Sequence, residues 1–352
     1  MNIQPKQWQR LVTFLTFLVV LESGLLLALV FLLVFPRWFS TEMLTVNSSK
    51  VVEHDNSQEV ARANSDSKLE NLDTLTAAEQ EEKELVLYGK DLIVSTSKYF
   101  GPQGSILKIS NGMNCQNCHL DAGTKIMGNN YTAVYATYPK FRARSGSKET
   151  VVKRISDCFE RSLNGRKPDS SGKEMLAMVA YMKWVGQGVP KGVVPKGAGI
   201  NKLAYLDRAA DPGKGIMLYQ QKCESCHGAK GEGVMNADGR WFIYPPLWGS
   251  RSYNDGAGLY RISSFAGFVK DNMPFGASHE NAVLTDQEAW DLAAFINTQP
   301  RPHKDQSQDW KDISQKPIDF PSGPYSDGFS EKQHKYGPFK PIAAMRTKKQ
   351  QK

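Results

Sequence analysis

The pentapeptide Cys-x-x-Cys-His occurs twice in this chain, as Cys115-Gln116-Asn117-Cys118-His119 and, 108 residues later, as Cys223-Glu224-Ser225-Cys226-His227. The two copies use four of the five cysteines, too few and too clustered for a disulfide-built scaffold. Two thiols at this spacing can form thioethers to a porphyrin edge while the adjacent histidine reaches the iron from one face. Zinc is the rival reading, but zinc sites usually pair two C-x-x-C units within ~20 residues. Both motifs carry the adjacent histidine, which points to two covalently bound haem c groups. Cys115, Cys118, Cys223 and Cys226 would hold the porphyrins, and His119 and His227 the irons.

The segment ahead of the motifs has a different character. Residues 11–35 form an apolar run of 25 with one charge, Glu22. As a helix the run would span ~37 Å, enough to cross a ~30 Å hydrocarbon core with tilt. A cleaved signal peptide would show a shorter apolar stretch and a small-x-small site. Here the run ends in Phe-Pro-Arg-Trp-Phe, so an uncleaved anchor is expected over residues 1–38. Lys6 and Arg10, with the amino terminus, oppose Arg37 and favour an inside amino terminus. The rest would then lie on the periplasmic side of the inner (cytoplasmic) membrane. Residues 41–84 hold 4 basic and 11 acidic side chains, and the Ser- and Asn-rich composition of 39–75 reads as a flexible acidic tether.

Order is expected to resume at Thr76-Ala77-Ala78-Glu79, a capping-box pattern. Asp211-Pro212 should start a helix that runs into the second motif. Thr285-Asp286-Gln287-Glu288 should open a closing helix with Ala289, Trp290, Ala293 and Ile296 on its apolar side. Helix, haem motif, loop and closing helix resemble the cytochrome c fold. The expectation is an all-α protein with two cytochrome c-like domains, 76–200 and 201–300, behind a transmembrane helix. The turn-rich stretch 186–202 would join them, and 301–352 would form an irregular strap with a frayed basic tail.

Each iron needs a second ligand or an open position. Met273, in Asn272-Met273-Pro274-Phe275-Gly276, lies 46 residues after His227. A methionine in such a loop is poorly explained as core filling, and thioether ligation suits electron transfer. Met235 and His279 are weaker candidates. The first domain has no comparable loop, and Met175, Met178 and Met182 stand at the spacing of a core stripe. Cys158 is the cysteine left over. On a helix expected from Ser147 to Leu163, Val151, Ile155, Cys158 and Ser162 would share one face. Cys158 could be a small core residue, yet an unpaired thiol in an oxidising compartment is a hazard unless bound or used. Arg142, Arg144, Lys148, Arg154 and Arg161 surround it in sequence. They read either as a solvated basic face or as a cluster that lowers the thiol pKa and holds a dianion.

Two further blocks, Tyr138-Pro139-Lys140-Phe141-Arg142-Ala143-Arg144-Ser145-Gly146 and Arg154-Ile155-Ser156-Asp157-Cys158-Phe159-Glu160-Arg161-Ser162-Leu163-Asn164-Gly165, resemble the dihaem thiosulfate dehydrogenases, the tetrathionate-forming cytochromes. The likeness covers about residues 85–300. It implies His119 and Cys158 as ligands of a catalytic first haem, with Arg144, Arg154 and Ser162 lining the substrate pocket. It implies His227 and Met273 at a second, electron-transfer haem. The family often places a lysine immediately before this methionine, allowing ligand exchange. Here that position is Asn272, with Lys270 displaced, so the exchange is not carried over.

The implied reaction joins two thiosulfates into tetrathionate, in either direction, and passes two electrons to a cytochrome c or another respiratory-chain acceptor. Two dianions repel, and a cationic pocket would offset the repulsion. Cys158 could also form a sulfur–sulfur bond to the first thiosulfate. The alternative is a membrane-anchored dihaem electron carrier without a substrate of its own, which leaves the arginine–cysteine block unused. The net charge of +8 comes without a nucleic-acid recognition motif, so a small anion or an acidic protein is the better partner.

Overall fold

The computed structural model describes residues 77–350, which fall within one compact unit. The expected anchor at 11–35 and tether at 39–75 lie outside the described residues. Among the described residues, no helix is long and apolar enough to cross a membrane.

The longer helices are α1 (Ala77–Val94), α2 (Val151–Arg161), α3 (Lys173–Val185), α4 (Pro212–Lys222), α5 (Ile262–Asn272), α6 (Asp286–Thr298), α7 (Glu331–Tyr336) and α8 (Lys340–Gln350). Two short antiparallel hairpins interrupt them. β1 (Lys140–Arg142) pairs with β2 (Ser147–Glu149), and β3 (Val234–Met235) pairs with β4 (Phe242–Tyr244). The molecule is therefore mostly helical, as expected.

Two hydrophobic cores lie beneath the two motifs. In the first, α1 packs along α3, and Leu92, Phe100, Phe159, Met175, Met178 and Tyr181 are fully buried. Gly89 makes the close crossing possible, because a Cβ there would stand 2.0 Å from the Ala177 carbonyl oxygen. In the second, α4 and α5 pack against α6 around Tyr219, Trp290, Leu292 and Phe295. Gly215 serves the same purpose, its missing Cβ falling 2.1 Å from the Asp291 carbonyl oxygen. Each large apolar side chain removed from water stabilises the fold by about 1.5–3 kcal/mol, and the helix approach governs how many can be enclosed.

Two of the three capping signals are present where the sequence places them, and Thr76 of the other lies outside the described residues. Asp211 accepts from the backbone N–H groups of Gly213 and Lys214 at the start of α4. Thr285 and Glu288 form a reciprocal capping box on α6. The stripe Met175, Met178 and Met182 is core, as its spacing predicts.

Two expectations need correction. The helix carrying Cys158 begins at Val151, not Ser147. Ser147–Glu149 is spent on the β2 strand, and Thr150 caps α2 by accepting from the Lys153 N–H at 3.2 Å. The basic tail is also not frayed, because residues 340–350 form α8. Its Ile342 is completely buried against the second core. Between Arg301 and Ser330 the strap is irregular apart from one 3-10 turn. Trp310, Ile318 and Phe320 anchor it by burial, and Asp319 by pairing with Arg261 at 2.6 Å.

The two cores are also joined by hydrogen bonds between groups lying far apart in sequence. Asn111 Nδ2 donates to Ser252 O at 3.0 Å, and Asn254 Nδ2 to Glu160 O at 2.9 Å. Lys125 Nζ donates to Ala277 O at 3.2 Å. These bonds give the two motif-bearing regions a defined relation.

Candidate functional site

Cys115, Cys118, His119 and Cys158 line one cavity of about 280 Å3. Its remaining walls are largely apolar and include Ile93, Tyr131, Val134, Ile155, Met178 and Met182. Val151, Ile155, Cys158 and Ser162, the face expected of α2, all reach it together with Arg154. The late start of the helix leaves that face unchanged.

His119 is oriented by its backbone surroundings. Its Nδ1–H donates to the Asn129 carbonyl at 2.6 Å, and the Tyr131 ring lies against it with centroids 4.5 Å apart. Nε2 is thus the nitrogen left for an iron. Loss of solvation pushes the imidazole down to about 4, so it is neutral at physiological pH, as a ligand must be. The same effect pushes the Cys115 and Cys118 thiols up to about 12. Neutral sulfurs in an apolar cavity, beside a histidine with one committed nitrogen, fit a thioether-linked porphyrin.

His227 repeats the arrangement. It is buried, its Nδ1–H donates to the Pro245 carbonyl at 2.8 Å, and desolvation lowers its pKa. Burial likewise raises the Cys223 thiol to about 11. Met273 follows the last residue of α5, half-buried, and packs with Cys223 against the second core. Met235 sits instead in β3, where its Sδ accepts from Arg251 Nη1 at 2.7 Å. His279 is partly exposed and pairs with Asp271 at 3.1 Å. Lys270 is engaged by Asp286 at 3.2 Å and by the Leu284 carbonyl.

A second cavity, of about 410 Å3, shares Cys118, His119, Arg154, Cys158 and Ser162 with the first. It is markedly more cationic. Arg142, Arg144, Arg154, Arg161 and Arg261 line it, whereas Lys148 is exposed on β2 and does not. Arg142 faces Glu149 at 4.0 Å. Arg144 Nη1 donates to Gly256 O at 2.9 Å and to Asp309 at 3.0 Å, with its guanidinium over the Trp310 ring. Burial, then the charge of Arg161, push Arg144 down to about 10, which leaves it charged at neutral pH. Arg154 behaves oppositely: the charge of the Cys158 sulfur holds its guanidinium above the ordinary value. Ser162, the cap residue after α2, stands one turn beyond Cys158 and donates its N–H to the Cys158 carbonyl at 2.8 Å.

Asn129, Pro245 and Asp309 carry roles that the sequence does not announce. The first two act through backbone carbonyls, which carry no side-chain signal. Asp309 lies 148 residues from Arg161, in a segment without periodicity.

Comparison with known proteins agrees with this geometry. Residues 107–190 match the SoxA/TsdA cytochrome c domain, and residues 212–300 match the cytochrome c family. The thiosulfate dehydrogenase of Allochromatium vinosum is 46% identical over 198 residues, which is 55% of this chain and 72% of that protein. The thiosulfate dehydrogenase of Psychrobacter arcticus is 41% identical over 57% of this chain and 61% of its own length. Among solved structures, the thiosulfate dehydrogenase TsdBA of Marichromatium purpuratum in its as-isolated form aligns with a TM-score of 0.59 and 34% identity. That alignment covers 63% of this chain and 47% of the TsdBA chain, so this chain spans about half of that longer protein. With two motif-bearing domains, a histidine poised in each and relatives of this similarity, the chain belongs to the thiosulfate dehydrogenase family, oxidoreductases carrying two covalently bound c-type haems.

Proposed function

We propose that this chain oxidises two thiosulfates to tetrathionate, reversibly, at the cavity of Cys158, and passes the electrons outward past His227 and Met273. The observation that carries the reading is the placement of Cys158. Its sulfur lines the same cavity as the haem-attachment thiols and His119, and also opens onto the arginine-lined space. A core cysteine would not need to border both.

The haems, when bound, supply two one-electron acceptors, with His119 and Cys158 as ligands of the first and His227 and Met273 of the second. The protein side chains do the rest. Arg144 and Arg154 offset the repulsion between two dianions and give directional hydrogen bonds to sulfonate oxygens. Ser162 lines the same cavities and offers them a hydroxyl. The Cys158 thiolate joins the outer sulfur of the first thiosulfate with release of two electrons, giving a cysteine S-thiosulfonate. The second thiosulfate attacks that sulfur–sulfur bond, tetrathionate leaves, and the thiolate is restored. Charge and atoms balance in both steps, and no proton is consumed.

The apolar stretch at 11–35 would tether this chemistry to the periplasmic face of the inner membrane, with a cytochrome c or another respiratory component as acceptor. A reporter fused after residue 60 should then be exported and membrane-bound. Recovery as a soluble chain trimmed near residue 38 would replace the anchor by a cleaved signal.

The deciding experiment mixes the haem-loaded soluble part with thiosulfate and an artificial acceptor and follows tetrathionate. Stoichiometric product supports the reading. Electron transfer without thiosulfate consumption would leave a dihaem carrier.

A further inference from the structure

The Asp309 carboxylate bridges two arginines that both line the larger cavity. One oxygen accepts from Arg144 Nη1 at 3.0 Å and the other from Arg161 Nη2 at 2.8 Å. All three side chains are 9–14% exposed. Asp309 belongs to neither motif-bearing domain but to the strap. Two contacts lock it in place: its own N–H donates to Gln306 O at 2.9 Å, and the Trp310 N–H to Arg144 O at 2.7 Å. Trp310 itself adopts φ +60°, a left-handed conformation costly for a bulky residue. Strain held at this point indicates that the surroundings enforce it.

The balance of charges around the cavity shows what this bridge does. Arg142 has Glu149, and Arg261 has Asp319. Arg144 and Arg161 share one carboxylate, Asp309. Among the described residues no carboxylate makes an ion pair with Arg154, which lines the cavity beside Cys158. The Arg161 Nε and Nη1 groups are enclosed without hydrogen-bond partners. The Arg144–Arg161–Asp309 trio therefore carries one net positive charge instead of two, with donors left over.

We propose that Asp309 is the positioning residue that sets the affinity of this cavity for dianions, acting through Arg144 and Arg161. The inference rests on the anion-binding reading above and deepens it. A site that must gather two dianions and then release a product dianion is limited by binding too tightly as well as too weakly. Asp309 trims the field of two adjacent guanidiniums in a poorly solvated space, where one charge weighs far more than in water. The orientation of Arg144 does not depend on Asp309 alone, because Gly256 O, Trp310 and Phe320 also hold it. Removing the carboxylate charge should thus raise the field without dispersing the donors.

The test is calorimetric titration of the haem-loaded protein with sulfate, a dianion that does not react. Asp309→Asn should bind sulfate about tenfold or more tightly than the parent, with a steeper dependence on ionic strength. In turnover, both KM and kcat should fall, because product leaves more slowly. Asp309→Glu, which keeps the charge, should stay within about twofold of the parent. Unchanged or weaker sulfate binding by a folded Asp309→Asn protein overturns the proposal. Should that variant not fold, Arg161→Gln supplies the test from the other side. It leaves Arg144 and Asp309 neutralising each other and should weaken sulfate binding about tenfold; parental affinity there also overturns it. Calorimetry requires no turnover. A parent protein inactive on thiosulfate but tightened by Asp309→Asn would sink the proposed reaction and keep this inference. Normal turnover with sulfate affinity indifferent to Asp309→Asn would do the reverse.

Discussion

The Asn272 side-chain amide donates to the Met127 carbonyl 3.1 Å away, tying the end of α5 to a loop of the first domain. Met273 is the next residue on one side. On the other, Asn129, two residues beyond Met127, accepts the Nδ1–H of His119. The same Asn272 amide also donates to Phe268 O at 2.9 Å. One side chain thus links the backbone carrying the second haem's proposed methionine ligand to the backbone orienting the first haem's histidine. Such a link holds the two sites in constant relation, as the proposed electron transfer between them requires.

Asn272→Ala should therefore do more than remove two hydrogen bonds. The bonds themselves are worth about 1 kcal/mol each, readable by denaturant unfolding. The specific outcome is spectroscopic: the near-infrared band of a methionine-ligated haem should weaken or become temperature-sensitive. The spectrum of the first haem should hold. A variant with only lowered stability and an unaltered methionine band would reduce Asn272 to a packing residue.

The glycine crossings predict a different class of effect. Gly215→Ala places a methyl 2.1 Å from the Asp291 carbonyl oxygen and 2.6 Å from Phe295 Cβ. Backbone cannot yield cheaply there, so α4 must move away from α6. The cost should exceed the gain of under ~1 kcal/mol that alanine brings in helix propensity, reaching about 3 kcal/mol or more as overpacking. Thermal unfolding of the isolated variant would read it. Gly258→Ala, with open space around the position, is the control expected near zero.

The α6 capping box makes a pH-dependent prediction. The Glu288 carboxylate accepts from the Thr285 N–H at 2.7 Å and from its hydroxyl at 2.9 Å. The backbone hydrogen bond to Thr285 is the main reason its pKa lies below the usual 4.5. A carboxyl with a depressed folded pKa contributes stability that is fully present above its unfolded value. The contribution is lost as pH falls through the folded value. Thr285→Ala should cost about 1 kcal/mol at pH 7. Glu288→Gln should be destabilising at pH 7 and converge on the parent as pH falls from the unfolded value through the depressed folded one. Parallel stability curves for parent and Glu288→Gln across that interval would remove the carboxylate from the account.

Much of the site is legible in the sequence because its parts are covalent neighbours or lie on one helix face. Cys115, Cys118 and His119 announce themselves by spacing, and Val151, Ile155, Cys158 and Ser162 share a face whether α2 starts at 147 or 151. The start is hidden because Ser147–Glu149 carries no strand signature. Only its pairing with Lys140–Arg142 makes it a strand, and a hairpin this short is fixed by its partner more than by propensity. The order of the tail is hidden for a related reason. Its composition is rich in Pro and Lys, whereas α8 is held by Ile342 inserted into the second core. Asp309 was illegible because nothing local distinguishes it from other acidic strap residues, and its meaning comes entirely from Arg144 and Arg161.

The most discriminating variants concern Cys158 and Arg154, one turn apart on α2. Cys158→Met keeps a sulfur at the cavity wall with a modest gain in volume, so haem content and folding should survive. Thiosulfate oxidation should fall by at least about 100-fold, since thioether sulfur can neither carry the charge nor form the S-thiosulfonate. The potential of the first haem should rise, because a neutral donor stabilises ferric iron less than a thiolate does. Arg154→Ala should leave that potential nearly in place but lose about 10- to 100-fold in kcat/KM, the weight of one or two charge-assisted hydrogen bonds to the substrate. Because Cys158 and Arg154 line the same cavities one turn apart, the double variant should lose less than the sum of the two losses. Electrochemical titration of the three proteins, alongside thiosulfate kinetics, separates the roles. Normal turnover and an unmoved first-haem potential in Cys158→Met would leave Cys158 a core residue and move the chemistry to other groups of the cavity.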